Sequence, residues 1–158
     1  MRFFLSILFL LPLLVFSQTK KIVLNATFEK IEAQSKTFVA TVNVEKNGEI
    51  IHTEVTQNGK FIYALDTGAV YKVFFSKINY VGKHLMIDTR DIPERSRKKQ
   101  TLRVEMSFFL DFDDVDFSFL ETTPVSVARY DEQYKKLRWD TEYTKLINEK
   151  IAQILLNL

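Results

Sequence analysis

The sequence predicts a mainly β fold, a seven-stranded antiparallel sandwich followed by an amphipathic α-helix, on the strength of three observations. Turn signals fall at Asn47-Gly48, Asn58-Gly59, Asp66 to Gly68 and Asn79, a spacing of roughly ten residues that suits short strands in a sandwich or small barrel. Between the turns, apolar and polar residues alternate with the period of two of a half-buried strand. Fourteen Phe and six Tyr among 158 residues favour strands.

Residues Met1 to Ser17 form a separate object. Arg2 supplies a short positive region, Phe3 to Phe16 is an apolar run broken only by Ser6 and Pro12, and Ser17 is a small residue just before a cut ahead of Gln18. That is the order of a signal peptide. The rival, an uncleaved anchor, needs a core of about 30 Å, and such a run spans only about 21 Å as a helix. The expected organisation is therefore a signal peptide over 1–17, a β-sandwich domain over 18–120 and a C-terminal extension over 121–158.

Lys20 to Phe28 and Thr37 to Lys46 are the first strands. In the second, Phe38, Ala40, Val42 and Val44 share one face. Asn47-Gly48 signals a hairpin into Glu49 to Thr56, because a type I′ turn needs φ > 0 at both central residues. Asn58-Gly59 repeats the signal before a strand in which Phe61, Tyr63 and Leu65 alternate with Lys60, Ile62 and Ala64. Val70 to Ser76 is apolar on both faces, as an interior strand is. Lys83 to Asp88 follows the turn at Asn79, which makes 58 to 89 three consecutive strands. After the loop Arg90 to Lys99, Leu102, Val104, Met106 and Phe108 mark a strand with one wet face. Asp111 to Leu120 reads as an edge strand with its aspartates in solvent, which discourages sheet-to-sheet pairing. Val125 to Trp139 is ambiguous.

Asp140 has the place of a helix N-cap, with Glu142 near the positive helix end. From there Tyr143, Leu146, Ile147, Ile151, Ile154, Leu155 and Leu158 trace one stripe at helical spacing. A lone helix of about 17 residues is marginal in water, so the stripe must be covered. Two covers are open: the sandwich of the same chain, or a partner or second copy.

Composition narrows the function. A formal net charge of +2, from 22 basic and 20 acidic residues, gives no global field for nucleic acid or a membrane surface. Cysteine is absent, which excludes a disulfide framework, a thiolate metal site and lipid attachment at an N-terminal Cys. His52 and His84 stand alone on predicted strands, as half-exposed strand histidines without zinc-ligand spacing. No G-x-S-x-G elbow and no phosphate-cradling Gly loop is present. Asp111, Asp113, Asp114 and Asp116 could supply oxygens to calcium, but Phe112, Val115 and Phe117 stand where a calcium loop needs flexible small residues. No catalytic residue, metal ligand or cofactor is assigned. Asn25-Ala26-Thr27 matches a glycosylation sequon and is given no role.

The stretch Gln57 to Pro93 resembles a known family. Asn58, Gly59, Phe61, Asp66, Gly68, Tyr71, Val73, Phe75, Ser76, Lys77, Tyr80, Val81, Lys83, Ile87, Asp88, Thr89, Ile92 and Pro93 match the pattern of carboxypeptidase regulatory-like domains of exported Gram-negative bacterial proteins. Two departures stand out. Asn79 replaces the usual Gly, and Asn is the next residue type to tolerate the left-handed conformation. The usual Gly-containing first strand has no counterpart between Lys20 and Lys46. The resemblance implies a transthyretin-like, Ig-like sandwich and export, and no peptidase chemistry.

The expected function is thus a non-catalytic exported β-sandwich module, in the periplasm or at the outer membrane, or secreted, that binds an envelope protein or supports an assembly. The contact is expected on the C-terminal helix, at Tyr143, Ile147, Ile151, Ile154 and Leu158, or on a sheet edge. The basic loop Arg95, Arg97, Lys98 and Lys99 offers weak contact with an anionic surface; it lacks the interleaved aromatics of a single-strand nucleic-acid binder. The alternative is a small-ligand, carbohydrate or peptidoglycan-fragment binder using Tyr63, Tyr71, Tyr80, Tyr130, Tyr134 and Trp139.

Overall fold

The computed structural model describes residues 22–29, 38–93 and 99–157. The signal-peptide reading, Arg95, Arg97 and Lys98 of the basic loop, and Leu158 lie outside them. All seven expected strands are present: β1 (Ile22–Phe28), β2 (Ala40–Lys46), β3 (Glu49–Thr56), β4 (Lys60–Leu65), β5 (Val70–Lys77), β6 (Tyr80–Asp88) and β7 (Gln100–Met106). A four-residue helix α1 (Phe119–Thr122), two further strands β8 (Ser126–Asp131) and β9 (Lys136–Trp139), and helix α2 (Thr141–Leu156) complete the order.

Two sheets form a sandwich-like arrangement, one of three strands in the order β4-β1-β7 and one of six in the order β3-β2-β5-β6-β8-β9. Alternation decides what fills the space between them. Ile22, Leu24, Ala26 and Phe28 of β1 are buried, as are Val42 and Val44 of β2 and Tyr71, Val73 and Phe75 of β5. Aromatic rings join the layers: Phe75 of the large sheet meets Phe28 at 5.6 Å and Phe61 at 6.4 Å, both of the small sheet and both edge-on. Burying such side chains is worth about 1.5–3 kcal/mol each before ordering costs.

The antiparallel seven-stranded expectation needs correction. The described residues hold nine strands, and two pairings are parallel, β1 with β7 and β6 with β8. Alternation in a sequence fixes which face a strand buries but leaves the direction of its neighbour open. Nor are the strands of 58 to 89 successive neighbours, since β4 lies in the small sheet and β5 and β6 in the large one. Asn47-Gly48 makes the expected turn, with φ of 52° and 91°. At Asn58-Gly59 only Gly59 has positive φ, 69°, and the Asn58 side chain instead accepts from the Lys60 N–H at 3.1 Å. That pair carries the chain between sheets. Asn79, with φ of 66°, adopts the left-handed conformation that Asn tolerates at the expected turn.

Residues 111 to 118 form no edge strand. The chain turns there, the Asp116 carboxylate accepts from the Ser118 N–H at 2.8 Å, and Phe117 and Leu120 are buried. Aspartate side chains that bond nearby backbone compete with a ladder, which explains the turn. The ambiguous segment after Pro124 is the β8-β9 hairpin, so the large sheet continues well past residue 120. Asp140 caps α2, accepting from the Tyr143 N–H at 3.0 Å. The helix lays Ile151 into the core with Ile147, Ile154 and Leu155 against it, while Leu146 and Leu156 face solvent.

Candidate functional site

The sheet register singles out one residue. Lys83 lies opposite Phe75 across the β5-β6 ladder and therefore points to the same face, into the space between the layers. Only 4% of it is exposed. Its Nζ donates to the Ser107 carbonyl and lies 4.7 Å from the Phe109 ring centre and 5.9 Å from that of Phe108. Among the described residues no carboxylate is within ion-pairing distance. Burial therefore acts alone, and it pushes the ammonium down to about 8.

Beside Lys83 is a cavity of about 290 Å³. β6 contributes Lys83 and Leu85, β7 and the residues after it Val104 to Ser107, and α2 Thr144, Asn148 and Ile151. Ser126 Oγ and Thr144 Oγ1 line it 2.7 Å apart and hydrogen-bonded. Trp139 also lines it, with its indole N–H donating to the Arg103 carbonyl at 2.7 Å. Hydroxyls, an amide and a cation converge there on an apolar floor, the composition of a small-molecule pocket.

Lys83 is not among the site residues expected from the sequence. The signal was present: Val81, Lys83, Leu85 and Ile87 share a strand face, so a lysine stands in an otherwise apolar row. His84, on the opposite face, corrects the expectation of half-exposed histidines, since it is 2% exposed. Burial and the nearby Lys72 charge push it down to about 4, against a smaller upward pull from the Leu120 backbone. His52 is partly buried, stacked on Tyr63 at 4.7 Å, with Nε2 3.3 Å from Glu54 Oε2.

Of the helix residues expected to meet a partner, those described pack at least in part on this chain. Ile151 is buried in this chain, Ile147 and Ile154 pack on its core, and the Tyr143 hydroxyl donates to the Pro124 carbonyl at 2.8 Å. Leu146 and Leu156 are the exposed large apolar residues of α2. Lys99 is exposed just before β7. The tyrosines form no single groove: Tyr71 is buried and accepts from the Asp66 N–H at 3.0 Å, whereas Tyr134 is exposed in the β8-β9 turn. Among the described residues no group of three His, Asp or Glu side chains is placed to hold a metal ion.

A second feature is the outer edge of the large sheet. β3 has a neighbour on one side only, β2, and Ile50, Ile51 and Val55 are 63%, 45% and 56% exposed. It carries neither Lys nor Pro, the residues that ordinarily blunt a free edge. What protects it is Glu49 and Glu54 and the register shift opposite Val44 and Glu45.

No protein-family model matches the chain, and no curated protein matches it.

Proposed function

We propose that this chain is an exported, non-catalytic β-sandwich module of the bacterial cell envelope that holds a protein partner along the free edge of β3. The observation that carries this reading is that edge, with its exposed Ile50, Ile51 and Val55. An unpaired strand offers a row of backbone donors and acceptors, and an extended partner segment completes the ladder by strand addition. Glu49 and Glu54 suit a segment with basic residues among apolar ones. The export half rests on the signal-peptide pattern of Met1 to Ser17 and on the resemblance to carboxypeptidase regulatory-like, transthyretin-like domains. The cavity beside Lys83 favours a second reading, a small-ligand binder.

The contact is tested by photocrosslinking in cells from position 55, against a control probe at Arg103 on the small sheet. An adduct specific to position 55, with a yield about tenfold lower in an Ile50→Lys/Ile51→Lys variant of unchanged melting temperature, is the expected result. Equal adducts from both probes contradict it. Export is tested by N-terminal sequencing of the envelope fraction: a chain beginning at Gln18 is expected, and one beginning at Met1 rules cleavage out.

A further inference from the structure

Among the described residues Lys83 is the only lysine or arginine that is buried, and it lacks a counter-charge. An ammonium taken out of water is stable only if it pairs, sheds its proton or holds an anion. The protein supplies one carbonyl, that of Ser107, and two aromatic rings. An ammonium has three donors, and the residue lines a cavity.

We propose that this cavity is a carboxylate-binding site, in which Lys83 supplies the counter-charge and the Ser126 hydroxyl, exchanging its bond to Thr144 Oγ1, supplies a further hydrogen bond, while the Thr144 hydroxyl stays on the Asp140 carbonyl at 2.8 Å. The volume of about 290 Å³ sits at the small end of ligand pockets. It fits a compact organic acid or the last residue of a peptide. Val104, Leu85 and Ile151 take the apolar remainder of either. Glu105 is the other ionisable side chain on the cavity wall, and its negative charge disfavours a dianion such as phosphate. The site selects a monocarboxylate. Because burial holds the amine at about 8, Lys83 is mostly charged at pH 7 and mostly neutral at pH 9.5, so binding weakens across that interval. The β3 contact is a separate matter: Ile50→Lys/Ile51→Lys leaves carboxylate binding unchanged.

The test is calorimetric titration of the purified chain with acetate, pyruvate and benzoate, and with a tripeptide as its free acid and its amide. Inorganic phosphate is the control anion, and pH 7.0 and 9.5 are compared. Saturable binding of carboxylates at pH 7.0, about tenfold weaker at pH 9.5 and in Lys83→Met, is expected. Binding of the small acids identifies a free acid as the ligand; binding of the peptide acid alone, with its amide silent, identifies a chain terminus. Should Lys83→Met fail to fold, Ser126→Ala and the Lys83 amine resonance replace it. Ser126→Ala weakens binding severalfold, and the resonance titrates at higher pH with ligand bound. Absence of saturable binding, binding indifferent to Lys83, or phosphate bound as tightly as acetate overturns the proposal.

Discussion

Lys83 and His84 are adjacent on β6, both are bases and both are buried, yet the two faces of the strand treat them differently. His84 lies on the side covered by α1, where its Nδ1 has no hydrogen-bond partner and its imidazole is held at about 4. It is neutral at physiological pH and behaves as an aromatic wall. Lys83 lies on the inner side beside a cavity and keeps its proton at pH 7. The reason is the starting point of each group. Shedding the imidazole proton at pH 7 costs almost nothing, whereas stripping a lysine from its ordinary 10.5 costs about 5 kcal/mol. A buried histidine can therefore be finished by packing alone, and a buried lysine calls for company.

The largest expected effect breaks the histidine side of this comparison. Leu120 is 1% exposed and belongs to the short helix over His84. Leu120→Ala should cost about 2–5 kcal/mol in denaturant unfolding. It should also let His84 titrate closer to its ordinary 6.5, as read from its imidazole proton resonances. A loss below about 0.5 kcal/mol, the range of surface substitutions, would show that α1 does not seal that face.

A somewhat smaller effect sharpens the same side. Between pH 6.5 and about 4 the unfolded chain binds a proton at His84 and the folded chain does not. Stability therefore falls as pH drops through that window, by about 3 kcal/mol in all. The lowered carboxylates Asp88, Asp116 and Asp131 start from 3.8, so their stabilisation is lost only below that window. His84→Leu should flatten the slope between pH 6.5 and 4 and leave the steeper acid limb in place; an unchanged slope would assign it to other groups.

The strands were legible because their side chains announce which face is buried: all seven expected strands formed, and Leu102 and Met106 turned inward as the alternation required. The Asp140 cap was legible for a similar reason, since its chemistry is local. Partner choice was not. Nothing in Ile22 to Phe28 says that it lies parallel to a strand some eighty residues away, or that Asn58-Gly59 crosses between sheets rather than closing a hairpin. The Asp111 to Asp116 run misled because aspartates exposed on a strand and aspartates bonding their own backbone read alike. The site was half visible. An inward lysine could be read from Val81, Lys83, Leu85 and Ile87, but its cavity is made by β7, Ser126 and α2, which only the tertiary fold brings together.

The claim on which the comparison rests is that Lys83 is a desolvated, unpaired cation. Lysine side-chain NMR titration of the purified chain, alongside Lys83→Met, tests it most directly. One lysine should titrate near 8 and vanish in the variant. Between pH 8 and 10.5 the unfolded chain holds the proton that folded Lys83 has lost, so wild-type stability should rise with pH there. Lys83→Met should lose that rise and be about 1–3 kcal/mol more stable than wild type at pH 7. A chain in which every lysine titrates near 10.5, with Lys83→Met no more stable than wild type, would contradict the account.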